Sequence, residues 1–372
     1  MTPLDRGHGM ETSGMQDSFG FRLLNSCPPT GARTGLMKTA HGDVKTPCVA
    51  PIRFFGNGVA MSTDELTRAG VEIVSDRLDS LAQTPALDSI AALGGIHRFS
   101  GWQRPIIARF DPNGLRAATD RFAQDADGLS FWSHRFGRRI QFDPVDMTRR
   151  VQELGFDIGL GLLPADAEDP RDHGLCRDIA LRWAIDGMRA RTRTDMGLLG
   201  PAWLEQDKAS GEAISPVDAR RFDGLWADSR GEPGNDHHSI DGIRMATDSD
   251  RPDHLWKLAA AGFDVIEVSW PVRYARLGLL VTSSGTVNLK DGANDLIADP
   301  PDKQCGCPVC STCSRALLRF MHMSGEPVST SLNAIHNLYW ATGMMTQIRA
   351  AIDDGSFANL LNQLDAGVRE PG

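Results

Sequence analysis

The chain has 372 residues, 41% of them hydrophobic, and a formal net charge of -9. That length suits one large domain or two ordinary ones, and the acidic balance excludes a whole-protein positive field, so any nucleic-acid contact must come from a local basic patch. No apolar run reaches the roughly 18 residues of a membrane span, and none is expected.

Residues 1–18 read as a disordered lead-in without the basic and apolar regions of a signal peptide. Order is expected from Phe19. "GARTGLMKTAHGDVKTPCVAPI" (31–52) carries two short β-like stretches around a glycine-containing turn. "STDELTRAG" (62–70) is helical, with Ser62 or Thr63 as N-cap and acids in the first turn. "VEIVS" (71–75) and "RPIIARF" (104–110) are compact apolar runs of the kind found in buried parallel strands. "DPVDMTRRVQELG" (143–155) is a capped amphipathic helix leading into the strand-like "FDIGLGLL" (156–163). "RPDHLWKLAAAG" (251–262) leads into "FDVIEVSW" (263–270) in the same way. Helix, glycine and apolar strand therefore recur, which is the alternation of a parallel α/β fold. The length suits a (β/α)8 barrel with insertions, although an open doubly wound sheet would show the same alternation. Residues 205–240, polar and rich in Asp, Gly and Ser, read as a large loop or insertion.

Cys27, Cys48 and Cys176 are scattered, whereas "CGCPVCSTC" (305–313) holds four cysteines. This is no disulfide framework; a reducing cytoplasm and a metal site fit better. Cys305, Cys307 and Cys310 lie on a loop with a glycine and a proline, close enough to converge on one zinc ion. Cys313 or His336 could complete the tetrahedron. His336 is favoured because "SRALLRFMHM" (314–323) and "SLNAIHNLYWATGMMTQIRAAI" (331–352) read as two helices, which a ligand from the second would pin together. With every ligand drawn from protein, the ion is expected to be structural. The plainer reading is a group of buried thiols beside a core histidine.

The stretch from Cys305 to Leu361 resembles the C-terminal zinc subdomain of tRNA-guanine transglycosylases, whose pattern runs C-x-C-x-x-C, "SRAYL", "HN" and "IR.AI..G.F". "ARTGLMKTAHGDVKTPCVAPI" is similar to that family's "ARTG…HG.I.TP.F.PV", and "LGGIHRFSGWQRPII" (93–107) to its "GGLHKFMGWDRPIL". The resemblance spans about residues 19–365 and is thinnest over 165–250, where the family's "QQG" and "VGGL" have no counterpart. It implies zinc ligands Cys305, Cys307, Cys310 and His336, with Cys313 to spare. It also implies an irregular (β/α)8 TIM barrel with an N-terminal β-hairpin over 19–295, followed by a zinc-binding subdomain and final helix over 296–365.

Members of that family exchange a guanine in RNA for a 7-deazaguanine base, using one aspartate as nucleophile on ribose C1′ and a second in proton transfer and recognition. Their nucleophile motif "FDCVLPTR.GR.G" corresponds to "IEVSWPVRYARLG" (266–278), which keeps Pro271, Arg273, Arg276 and Gly278 and puts Glu267 at the nucleophile's position. Asp264, three residues away on a strand, faces the other side. Glu267 keeps a carboxylate that can attack, with its oxygen displaced by roughly one bond, a shift on the scale that costs about 10²-fold in rate. Its plainer reading is an ion pair with a nearby arginine.

The family's second aspartate, in "ILTDSGGYQ", is replaced by Arg109 in "IIARFDPNG" (106–114), with Asp111 as a substitute two positions on; Leu162 replaces a base-recognition aspartate. Arg273 and Arg276 match positions near the bound nucleic acid, and residues 134–139 with Arg149 and Arg150 add basic groups. The resemblance thus implies base exchange in tRNA or DNA with altered recognition, taking a purine or 7-deazapurine base, with Glu267 and Asp111 catalytic and Arg109 in the substrate pocket. The alternative is a non-catalytic subunit that dimerises and binds nucleic acid. Family members pair through the zinc subdomain, so a homodimer or heterodimer is implied either way.

Overall fold

The computed structural model describes residues 18–28, 30–53, 61–82, 86–134, 136–166, 173–202, 222–228 and 242–367. The expected lead-in falls almost wholly outside them. The described chain opens with an antiparallel sheet of β1 (Gly20–Ser26), β2 (Arg33–Thr39) and β3 (Gly42–Thr46). The β2–β3 turn ends at Gly42, whose φ of +113° would strain any other residue. β4 (Cys48–Arg53), β5 (Val74–Arg77) and β6 (Ile106–Arg109) follow, separated by short helices. A side sheet of β7 (Asp120–Asp125), β8 (Gly128–Ser133) and β9 (Arg138–Phe142) comes next. Then come β10 (Ile158–Leu160), β11 (Gly197–Pro201), β12 (Gly224–Asp228), β13 (Ile243–Ser249) and β14 (Val265–Val268), and finally a β15 (Leu279–Thr282) and β16 (Gly285–Asn288) hairpin.

Strands β4, β5, β6, β10, β11, β12, β13 and β14 are parallel and close into an eight-stranded barrel, β14 returning to β4 through Val265–Cys48 and Glu267–Ala50 pairs. The barrel decides the choice that apolar periodicity left open. Its interior is filled by Ala50, Ile73, Ile107, Ile158, Leu199, Met245 and Val265, and the floor is sealed by Met37 and Val44 of the N-terminal sheet. The helix Thr63–Arg68 starts at a capping box in which Ser62 and Glu65 serve each other's backbone N–H groups. The helix Pro144–Glu153 starts at Asp143, whose carboxylate accepts from the N–H of Asp146.

Three elements differ from the sequence reading. The basic run at 134–139 contributes the head of β9, with Arg139 bound to Ser130 Oγ; the polar alternation of that sheet hides it from an apolar-run search. Within the expected 205–240 loop, residues 222–228 are described and contain β12, which is too short to show a periodicity. The second late helix begins at Pro327, four residues before the expected start, because proline at the first turn loses no hydrogen bond.

That helix, Pro327–Asp353, runs from the cysteine cluster down the outside of the barrel. Its Ala341, Met345 and Ile348 pack with Val49 of β4 and Ile266 of β14, across the seam where the first and last barrel strands meet. Thr342 Oγ1 donates to the Ala69 carbonyl at 2.6 Å, and Arg349 Nη1 to that of Pro47 at 2.7 Å. No helix among the described residues is long and apolar enough to cross a membrane.

Candidate metal centre and barrel mouth

The cysteine loop forms the short helix Pro308–Thr312, with Cys307 as its N-cap. Cys305, Cys307, Cys310 and His336 bring one ligand atom each to within 4.8 Å of one another. His336 Nδ1 lies 3.5 Å from Cys307 Sγ and 3.3 Å from Cys310 Sγ. Its other nitrogen, Nε2, donates to the Val281 carbonyl at 2.9 Å, which fixes the tautomer and leaves the Nδ1 lone pair for a metal. The Cys310 N–H donates to Cys307 Sγ at 3.3 Å. Three thiolates and an imidazole form a complete tetrahedral donor set for a structural zinc. Asn337, which the sequence reading gave no role, is buried and ties the long helix to this region. Its side chain accepts from the Val281 N–H at 3.0 Å and donates to the Pro271 and Leu279 carbonyls, each at 3.1 Å. Cys313 is half-buried at the end of the short helix.

At the other site, the strands carry charge inward near their C-terminal ends. Glu267 on β14 is completely buried. Ser75 Oγ of β5 donates to Oε2, the Arg109 guanidinium of β6 donates to Oε1, and the Asp248 N–H approaches Oε1 at 3.3 Å. Arg109 also grips Asp248 of β13 with both terminal nitrogens, through Nη1–Oδ1 at 2.8 Å and an Nη2–Oδ2 ion pair. The four residues span the barrel interior from β5 and β6 to β13 and β14. Burial pushes the Glu267 carboxyl above its usual range, against the pull of Arg109. Burial alone would lower the Arg109 guanidinium, but the Glu267 and Asp248 carboxylates hold it above its ordinary value. Asp248 has φ +59°, uncommon for a non-glycine residue, at a register irregularity in β13.

The other candidates are placed differently. Asp111 caps the helix Pro112–Ala118, accepting from the Gly114 N–H at 2.9 Å, and its second oxygen lies 3.0 Å from Arg77 Nη2. It is thus engaged with Arg77 and its own helix. Arg273 and Arg276 are exposed on the helix Trp270–Leu277, directly after β14, with Arg273 donating to the Asp250 carbonyl. Asp264 does face away from Glu267 and is bound by Arg33, with Nε–Oδ1 at 3.0 Å. Leu162 is core. Ser75 and Asp248 escaped the sequence reading: one is a lone hydroxyl in an apolar run, the other lies in "ATDSD", and neither belongs to a motif.

A sequence model of the family described as Queuine tRNA-ribosyltransferase matches residues 27–206 and 237–369. The chain belongs to this family. A queuine tRNA-ribosyltransferase of Desulfosudis oleivorans is 31% identical over 376 residues, covering 91% of this chain and 94% of the relative. One of Desulforapulum autotrophicum is 30% identical over 362 residues, covering 91% and 96%. Within the queuine tRNA-ribosyltransferase family, the zinc cluster and closed barrel of this chain are in keeping with the resemblance, and its barrel mouth carries a cross-lumen ion bridge.

Proposed function

We propose that this chain is a transglycosylase-type protein that engages tRNA at the barrel mouth and does not exchange bases unaided. One observation carries the reading: Arg109 is bonded to Glu267. A carboxylate that attacks C1′ needs an accessible lone pair, and here both Glu267 oxygens accept hydrogen bonds and the residue is fully buried. The arginine stands at the position matched to the family's second aspartate. The names of the relatives support tRNA as the polymer and a guanine-type base as the natural ligand of the family, and the exposed Arg273 and Arg276 beside β14 support contact with phosphates. Exposed Leu277, Leu296, Leu317, Phe320, Met323 and Val328 lie at or around the C-terminal zinc region. They support pairing through that region, with a second copy or with an active relative that supplies the aspartates. On this reading residues 19–295 form the barrel unit and 296–365 the zinc unit. A second reading keeps Glu267 as nucleophile once a ligand draws Arg109 aside; its place at the C-terminal end of a barrel strand favours it.

The test is incubation with labelled guanine and either tRNA or DNA, followed by denaturing gels and a separate binding assay. Expected are tRNA binding, weakened in Arg273→Ala/Arg276→Ala with a salt slope lower by about 2, and no denaturation-resistant adduct. An adduct that disappears in Glu267→Gln would establish the second reading.

A further inference from the structure

The sheet of β7, β8 and β9 is inserted between the C-terminal end of β6, which carries Arg109, and the helix Pro144–Glu153 that returns the chain to the start of β10. It is rooted on the rim of the barrel. Phe142 of β9 meets Phe110, the residue after β6, edge-on with ring centres 5.3 Å apart. The Gln124 side chain of β7 accepts from the Ala165 N–H at 2.7 Å and donates to the Ala165 carbonyl at 3.0 Å, beyond the end of β10. Leu129, Phe131 and Phe142 turn inward to the core. Strand alternation therefore puts Trp132 on the outer face, half-buried, with Arg139 directly opposite it on β9.

Two exposed arginines flank this tryptophan on strands either side of β8. The Arg121 guanidinium of β7 lies over the Trp132 ring, 5.1 Å from its centre. Arg139 of β9 rests on Ser130 Oγ through Nε at 3.0 Å and Nη2 at 2.6 Å. At the barrel mouth arginines are bound to carboxylates, as Arg53 is to Asp76 and Arg77 to Asp79. Among the described residues no carboxylate is paired with Arg121 or Arg139, and the neighbouring Asp120 is engaged by His134 Nε2 at 3.0 Å. Arg121 also has φ +55°, at a register irregularity in β7 between Asp120 and Ala123. Glycine would adopt that conformation without strain, and an arginine there sets a guanidinium on the indole.

We infer that the outer face of this sheet is a second contact for tRNA, in which Arg121 and Arg139 take backbone phosphates and the Trp132 ring takes an unpaired base. This rests on the tRNA-binding function proposed above and adds a surface to it. A chain of net charge -9 repels a polyanion as a whole, so contact depends on local arginines that no carboxylate neutralises. A guanidinium and a nucleobase occupy the same face of an indole. An arriving base can therefore displace Arg121 from Trp132 and free its fork for a phosphate. An acidic peptide would engage the two arginines and leave the indole without a role, whereas an unpaired base between phosphates uses all three side chains.

The test measures binding of unfractionated tRNA to the full zinc-loaded chain at several salt concentrations. Arg121→Gly should fold, since it relieves the strained backbone, and Arg139→Gln should fold with a donor kept for Ser130. Each should bind about 3–10-fold more weakly near 0.1 M salt, with a salt slope lower by about 1. Trp132→Leu should bind about 5–100-fold more weakly with the slope unchanged, because a stacked base releases no counterion. Urea unfolding checks that each variant is folded, and sedimentation checks its self-association. Sheet variants that bind like the parent, while Arg273→Ala/Arg276→Ala binds more weakly, would overturn this contact and leave the proposed function standing. A parent that binds no tRNA would overturn both. Variants that lose self-association and keep their tRNA affinity would make the face a protein interface and overturn the inference.

Discussion

Arg109→Met is the sharpest probe of the cross-barrel bridge. It removes the guanidinium placed between the Glu267 and Asp248 carboxylates while keeping an unbranched side chain in the lumen. Glu267 has no exposed surface, and the side chains of Arg109 and Asp248 are 6% and 18% exposed, so water can replace little of what is lost. Removing one partner of such a buried pair costs about 3–5 kcal/mol, and we expect a loss of that size near pH 7. The dependence on pH follows from Glu267, whose folded-state value is already raised by burial. A raised carboxyl binds its proton more tightly in the folded chain than in the unfolded one. Its contribution is therefore most favourable in acid and is lost as pH rises through the folded value. Without Arg109 that value rises further, so the gap between variant and parent should be small near pH ~4, around the ordinary carboxyl range, and widen toward neutrality. Urea unfolding across that range measures it. Adding Glu267→Leu should recover part of the loss, since it replaces the buried Arg109–Glu267 pair by apolar groups and leaves only the partly exposed Asp248 without its arginine. A midpoint at neutral pH equal to the parent's, or a gap that ignores pH, would refute the account of the bridge.

Three further outcomes are expected. Metal analysis should find a single zinc per chain, and Cys310→Ser should lose it together with the protection of the helix Pro327–Asp353 in hydrogen exchange. Asn337→Leu leaves the Val281 N–H and two carbonyls without their partner, which should cost roughly 2–4 kcal/mol in thermal or urea unfolding. Gly278→Ala should lower the melting temperature at a cost of about 1–2 kcal/mol, because φ there is +76°. The added Cβ would also meet His322 Nε2 at 2.6 Å.

Much of the architecture is written locally. The apolar runs ending near Phe110, Leu163 and Trp270 contain β6, β10 and β14, the run ending at Ser75 overlaps only the first half of β5, and the caps at Ser62, Asp143 and Ser314 sit where their helices begin. The cysteine spacing carries the metal cluster because three of its ligands lie within six residues. The barrel mouth is another matter. Arg109 meets partners 139 and 158 positions away, a distance no periodicity or short motif encodes. Alignment to a family pattern showed that the position of Glu267 had changed and left attack and ion pairing both open. It could not show that Arg109 reaches across the lumen, nor that Asp248 and Ser75 join it.

The long helix that covers the meeting line of β4 and β14 is made only after every barrel strand. Val49 and Ile266, more than two hundred positions apart, share neighbours such as Met345 and Ile348 on it. While the ribosome is still adding residues beyond β14, that joint has no lid and its apolar flank faces water. Co-translational folding of this protein therefore has a vulnerable stage after the barrel strands are complete, ended only when this helix swings back over the joint and its metal locks the top of it in place.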